Sequence, residues 1–149
     1  MDFEKLKLSN QLCFPVYATS RLITREYQPY LDKLGITYPQ YLVLLVLWES
    51  GALTVNEISQ KLILNTNTVT PLLKRMESIG LINRQRSSND ERKVIIELTQ
   101  QGKLLQQEAH VIPEKLGEKL LNGPLKLEEL IELKGKLDSI IQYLNEKQV

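Results

Sequence analysis

The sequence predicts a mainly α-helical fold that carries one small β-hairpin, and three observations predict it. Apolar residues recur at multiples of three and four over most of the chain, which is the helical period. One stretch, residues 81–98, breaks that pattern with β-branched residues close to a polar turn. Helix start and stop residues punctuate the remainder: Thr54-Val55-Asn56-Glu57 has the form of a capping box, and Gly35, Gly51 and Gly80 each follow an apolar run.

Taken in order, Leu12, Val16, Ile23, Tyr27, Leu31 and Leu34 mark a long first helix that stops at Gly35. Pro15 suits a first turn, so Ser9 or Phe14 is the expected cap, and Pro29 inside the pattern is expected to kink or interrupt the helix. Pro39 opens a second helix that runs through Trp48 and is apolar on nearly every side, hence central to the core. Thr54 starts a short third helix to about Leu62, and Asn65 caps a fourth over residues 66–79. Two short helices separated by a few residues form a helix-turn-helix candidate. Residues 81–86 and 93–98 then read as two strands joined through Ser87-Ser88-Asn89-Asp90. Thr99 caps a fifth helix whose end is obscured by Pro113 and Gly117. After the turn Asn122-Gly123-Pro124, the residues Leu127, Leu130, Ile131, Leu137, Ile140, Ile141 and Leu144 mark a last amphipathic helix. Helix, helix, helix-turn-helix, hairpin, helix, helix is the order of a winged helix-turn-helix with an added helix region at each end.

Composition narrows the function. A chain of 149 residues, 42% hydrophobic, is enough for one compact unit with a core of its own. The longest apolar run, residues 41–48, is about half of the roughly 20 residues that span a bilayer. The opening Met1-Asp2-Phe3-Glu4 has no basic-then-apolar leader, so a cytoplasmic protein is expected, with no membrane partner. With one cysteine and His110 as the single histidine, no internal disulfide, metal set or cofactor is expected. A net charge of +1 does not mark a polyanion binder, but its distribution does. Residues 74–93 hold six cations (Lys74, Arg75, Arg84, Arg86, Arg92, Lys93) against three anions (Glu77, Asp90, Glu91).

The fourth helix is built to read double-stranded DNA. Its opening, Thr66-Asn67-Thr68-Val69-Thr70, is short and polar, its second half carries Lys74 and Arg75, and Leu72, Leu73, Met76 and Ile79 supply an apolar side. Short polar side chains at the start of a recognition helix reach base edges, and longer cations reach phosphates. Asn67 matches an adenine edge, and the threonine methyls match a thymine methyl. The hairpin adds Arg86, Asp90, Arg92 and Lys93, with Asp90 expected to orient the Arg92 guanidinium toward a minor groove. Pro71 sits mid-helix against local preference. A merely solvated surface helix is the competing reading.

A second constellation surrounds Cys13. The first turn of a helix provides positive potential that stabilises a thiolate, and Cys13 lies there under either choice of cap. Tyr17, four residues on, shares its face. Tyr27 is 14 residues on: it points nearly the same way but lies roughly 21 Å along the helix, so only an antiparallel second copy brings it to the sulfur. Five of the six tyrosines (Tyr17, Tyr27, Tyr30, Tyr38, Tyr41) fall in the first 41 residues. An inert buried thiol among ordinary core aromatics is the alternative.

Asn10-Gln11-Leu12-Cys13-Phe14, residues 34–43 (Leu-Gly-Ile-Thr-Tyr-Pro-Gln-Tyr-Leu-Val), Leu72-Leu73-Lys74-Arg75-Met76-Glu77 and Asn89-Asp90-Glu91-Arg92 together resemble the MarR family of winged-helix regulators, specifically its OhrR branch of organic-hydroperoxide sensors. The likeness runs from about Leu8 to Gly102. It implies a homodimer, with residues 9–34 and 99–146 mainly forming dimerisation helices and residues 36–98 forming the winged-helix DNA-binding region. It also implies a pseudo-palindromic operator and a repressor rather than an enzyme. Cys13 would then be the redox-sensing thiolate, supported by Tyr17 and by Tyr27 and Tyr38 of the partner subunit. An organic hydroperoxide would convert it to a sulfenic acid, and a small thiol would form a mixed disulfide. The chain departs from the pattern in having no second cysteine, in Pro15 beside the thiol, and in the neutral start Leu64-Asn65-Thr66-Asn67-Thr68 of its recognition helix. Other readings are a winged-helix repressor that binds an aromatic ligand non-covalently, a thiol peroxidase, and an architectural nucleoid protein.

Overall fold

The computed structural model describes residues 3–90 and 92–147; Glu91, counted above among the anions, and the first two residues of the opening lie outside them. The chain forms two compact units, one up to His110 and one from Val111 onward.

The first unit is organised by α2 (Tyr38–Ser50), whose Tyr41, Val43, Leu44, Val46 and Leu47 are all buried. Each such side chain contributes roughly 1.5–3 kcal/mol when withdrawn from water. A helix apolar on several sides needs neighbours on each, and α1 (Cys13–Leu34), α3 (Val55–Leu62), α4 (Thr66–Ser78) and α5 (Gln100–Ala109) all pack against it. At its start the buried Gln40 side chain accepts the Thr37 N–H at 2.8 Å.

The expected helix order holds, with corrections. α1 begins at Cys13 with Leu12 at the cap position, so neither Ser9 nor Phe14 caps it; Ser9 lies in the second of two short 3₁₀ turns, Glu4–Leu6 and Leu8–Asn10. Pro29 does not interrupt α1, which continues to Leu34. The end of the fifth helix, obscured in the sequence by Pro113 and Gly117, lies before both: α5 ends at Ala109, and a separate α6 (Ile112–Leu121) starts with Pro113 in its first turn, where its missing N–H costs no helical bond. The second unit is completed by α7 (Leu127–Glu146), which buries no residue.

The hairpin is β2 (Ile82–Arg86) and β3 (Val94–Leu98), and a two-residue strand not foreseen, β1 (Leu53–Thr54), pairs with the far edge of β3. The antiparallel order is therefore β1-β3-β2, with Leu53 opposite Ile96 and Arg84 opposite Ile96 on the other side. Two residues were too short for a periodic signal. β1 joins the start of the helix-turn-helix to the wing.

Between α3 and α4, Ile63 holds the left-handed conformation at φ 54°, a position that disfavours a β-branched residue. Its strain is offset by Ile63 N–H donating to Gln60 O at 3.2 Å and Leu64 N–H to Ser59 O at 3.0 Å, which close the helix end.

α5 is fastened to the junction of α4 and β2. The Thr99 hydroxyl donates to Gly80 O at 2.6 Å and accepts from Gly102 N–H at 3.1 Å, while the Trp48 indole donates to Gly102 O at 2.9 Å. Gly102 is required there, since a Cβ would collide with the Leu81 carbonyl oxygen and crowd a Leu98 methyl. Gly102→Ala is therefore expected to destabilise the protein by about 1–3 kcal/mol, read as a lower urea midpoint with an unchanged slope.

Candidate nucleic-acid interface and thiol site

The helix-turn-helix starts from a satisfied cap. Thr54 N–H and hydroxyl both donate to the Glu57 carboxylate at 2.7 Å, and Glu57 N–H donates back to the hydroxyl at 3.3 Å. Those hydrogen bonds, aided by the charges of Lys93 and Lys61 and only partly opposed by desolvation, hold the Glu57 carboxyl below the ordinary carboxylate range.

α4 turns Val69, Leu72, Leu73 and Met76 inward and leaves Thr66, Asn67 and Thr68 exposed, together with Lys74 and Arg75. Asn65 stands at its cap position without a side-chain hydrogen bond, and Pro71 is carried within the helix. Thr66 and Thr70 face a cleft of about 210 Å³ whose other walls are Thr54, Val55 and Asn56 from the start of α3 and Arg84, Arg92, Lys93 and Val94 from the hairpin. Recognition helix and wing thus share one cationic groove. Arg86, at the end of β2, is exposed.

The wing tip is ordered differently from the expectation. Asp90 accepts the main-chain N–H of Arg92 at 3.1 Å, and Lys93 N–H donates to Asp90 O at 2.9 Å. The aspartate orders the turn backbone rather than the guanidinium, because two residues is the reach of an Asx turn. Sequence reasoning left Arg84 and Asn56 out of the site. The alternation Ile82-x-Arg84-x-Arg86 held the signal for the first, because period two puts Arg84 on the face of the buried Ile82.

Cys13 is exposed and is the first residue of α1. Leu12 offers no side-chain acceptor, so the main-chain donors of this first turn face the thiol end of the helix without a capping group. Upstream, Asn10 donates to Glu4 O at 2.7 Å and Gln11 to Lys5 O at 2.6 Å, which braces the two 3₁₀ turns that lead to the cysteine. Tyr17 is also exposed; Arg21 stacks on its ring at 5.5 Å from the centroid and donates to its hydroxyl at 3.4 Å.

Tyr27 and Tyr38 meet each other, with centroids 4.9 Å apart, and both pack on Tyr41, which reaches Trp48 at 6.3 Å. Burial first, and then Tyr38 and Tyr41, push the Tyr27 phenol up to about 12. It is a protonated hydrogen-bond donor throughout the neutral range. Because α1 is continuous from Cys13 past Tyr27, the separation of roughly 21 Å along one helix stands, and these phenols lie apart from the thiol of their own chain.

Residues 25–109 match the family described as transcriptional regulator SarA/Rot. The chain belongs to the SarA/Rot family of transcriptional regulators. It is 50% identical over 146 residues, 97% of each chain, to the organic hydroperoxide resistance transcriptional regulator of Bacillus subtilis (strain 168). Reduced AbfR bound to DNA superposes with TM-score 0.78 at 41% identity and full coverage of both chains, and overoxidised AbfR bound to DNA with TM-score 0.74 at 41% identity over 97% and 99%. A MarR variant from E. coli aligns with TM-score 0.69 at 25% identity over 88% of this chain and 96% of its own. The family is that of MarR-like winged-helix regulators, as the motifs in the sequence implied.

The cap at Thr54 generates a pH dependence. A carboxyl whose folded-state pKa is depressed adds stability that is present above its unfolded value and is lost as pH falls through the folded one. Glu57→Gln is expected to lower the melting temperature near neutral pH and to flatten the decline seen on acidification, measured by thermal melts from neutral to acid conditions.

Proposed function

We propose that this chain is a cytoplasmic homodimeric repressor that binds a pseudo-palindromic operator and releases it when an organic hydroperoxide oxidises Cys13. The observation that carries the reading is the exposed cysteine at the first position of a long, uncapped helix, in a chain that also presents a cationic helix-turn-helix and wing. The names of the B. subtilis regulator and of AbfR in reduced and overoxidised forms on DNA support it.

In the chemical step the thiolate sulfur attacks one peroxide oxygen and the O–O bond breaks. The leaving alkoxide takes up a proton and departs as the alcohol. Sulfur is oxidised by two electrons to the sulfenic acid, and the peroxide is reduced by two. A small thiol then displaces water from the sulfenic acid to give a mixed disulfide, because the chain has no second cysteine to resolve it. Tyr17 on the same helix, with Tyr27 and Tyr38 of the partner subunit, would surround the sulfur with phenolic donors. Two apolar surfaces favour the dimer: Leu12, Phe14, Val16 and Leu22 are exposed on and beside α1, and Ile131, Ile140, Ile141 and Leu144 are exposed on α7.

DNA contacts would divide by side-chain length. Thr66, Asn67, Thr68 and Thr70 address base edges, while Lys74, Arg75, Arg86, Arg92 and Lys93 address phosphates or the minor groove, with Asp90 fixing the wing turn.

A second reading has one observation in its favour. A pocket of about 410 Å³ lies between α2, β3 and α5, lined by Leu47, Trp48, Gly51, Ala52, Glu97, Leu98, Lys103 and Gln106, and its indole wall suits an aromatic ligand held without covalent chemistry. Replacement of the thiol separates the two. Reduced wild type and Cys13→Ser are expected to bind operator DNA with equal affinity. A stoichiometric organic hydroperoxide is expected to lower the wild-type affinity at least tenfold and leave the serine variant unchanged in a mobility-shift assay at fixed salt.

A further inference from the structure

Arg84 occupies a position the strand pattern reserves for an apolar side chain. It stands opposite the fully buried Ile96 and two residues from Ile82, itself 1% exposed, so β2 turns it toward the interior face of the sheet. Its side chain is only 19% exposed, and one terminal nitrogen, Nη1, reaches the Glu77 carboxylate of α4 at 3.5 Å. The Nε atom is buried and has no hydrogen-bond partner among the described residues. A withdrawn guanidinium with one long ion pair and an unused donor is costly, and native proteins rarely retain one without a partner to complete it.

The same side chain forms part of the cleft between α3, α4 and the wing, which Arg92, Lys93, Thr66 and Thr70 also line. That surrounding is cationic and rich in donors, and the missing element is an anion that accepts hydrogen bonds.

We propose that Arg84 is a DNA-contacting residue: a backbone phosphate entering this cleft draws the guanidinium outward, so that Nε, buried in the free protein, donates to it while Nη1 stays on Glu77. The inference rests on the DNA-binding reading above and extends it to a residue of the strand rather than of the helix or the wing tip. Glu77 becomes a positioning residue: it anchors Nη1 from α4, so that the guanidinium turns toward the cleft about a fixed end. The contact also ties the recognition helix to the wing through one side chain, so that the phosphate bears on both.

The test compares reduced wild type, Arg84→Gln and Glu77→Gln on operator and unrelated duplexes over a range of chloride concentrations. A lost phosphate contact weakens binding equally on both duplexes and reduces the slope of log affinity against log salt by about 0.9. That result is expected for Arg84→Gln, with the wild-type slope retained in Glu77→Gln. Duplexes with single phosphates replaced by neutral methylphosphonates then identify the partner. One position weakens wild type and has no effect on Arg84→Gln, which assigns the contact to DNA rather than to a free anion. If the glutamine variant does not fold, Arg84→Lys keeps a charge beside Glu77 but carries its donors on one nitrogen, so it cannot span Glu77 and the phosphate as the guanidinium fork does. It is expected to retain the slope and lose several-fold in affinity on both duplexes. Unchanged affinity in the folded variants, weaker binding with an unchanged slope in Arg84→Gln, or a methylphosphonate profile identical to wild type overturns the assignment. Failure of the wild type to bind either duplex overturns the DNA-binding reading itself.

Discussion

α2 must be enclosed, and the arrangement of the first unit depends on that constraint. Val43, Leu44 and Leu47 are all but inaccessible to water, so this helix cannot lie on a surface. α1, α3, α4 and α5 surround it, and that enclosure fixes where the recognition helix stands. The polar fastenings follow from the same packing. Trp48 leaves α2 to bond the backbone of α5 at Gly102, and Thr99 ties the start of α5 to Gly80, at the point where α4 gives way to β2. A bulkier residue at Gly102 would separate layers that the α2 core holds together. Packing of this density deforms little and moves as a unit, which suits a protein whose DNA-reading parts must hold one register.

The candidate interface is a set of short polar groups and cations mounted on an apolar underside. α4 buries Val69, Leu72, Leu73 and Met76, and the same helix turn presents Thr66, Asn67 and Thr68 outward. The sheet repeats the logic with one exception, Arg84, a charge on the interior face. Its ion pair with Glu77 spans α4 and β2, so the electrostatics of the wing and of the recognition helix are not independent. The aromatic chain from Tyr27 and Tyr38 through Tyr41 to Trp48 runs from α1 into the same core, and gives the middle of α1 a packed connection to the α5 junction.

Much of this was legible in the sequence where strong local signals coincide. The Thr54 capping box, the Thr99 cap, the left-handed Gly35 and the paired strands all appear where residue chemistry placed them. The start of α1 was misplaced because Leu12 is not a capping residue and no neighbour supplies the bond, so there was nothing chemical to find. Pro29 was read as a kink or an interruption because local preference favours one; α1 is not interrupted there and continues to Leu34, with Leu31 anchoring its end in the core. β1 escaped notice because two residues carry no period, and its existence depends on the distant edge of β3. Arg84 escaped because charge was counted along the chain without the strand phase that turns it inward. The Asp90 contact was assigned to the wrong atoms of Arg92, since spacing alone does not choose between a side chain and the backbone beside it.

One thiol, Cys13, is proposed to control DNA affinity, and the most direct test follows both on the same samples. Reduced protein on operator DNA is titrated with an organic hydroperoxide in the presence of a small thiol. Intact mass reports the fraction of Cys13 carrying the mixed disulfide, and fluorescence anisotropy of labelled DNA reports the fraction released. The prediction is that the two curves coincide over the whole titration and that a reductant reverses both together. Release while the cysteine is still a free thiol, or full conversion of Cys13 with the DNA still bound, would contradict it.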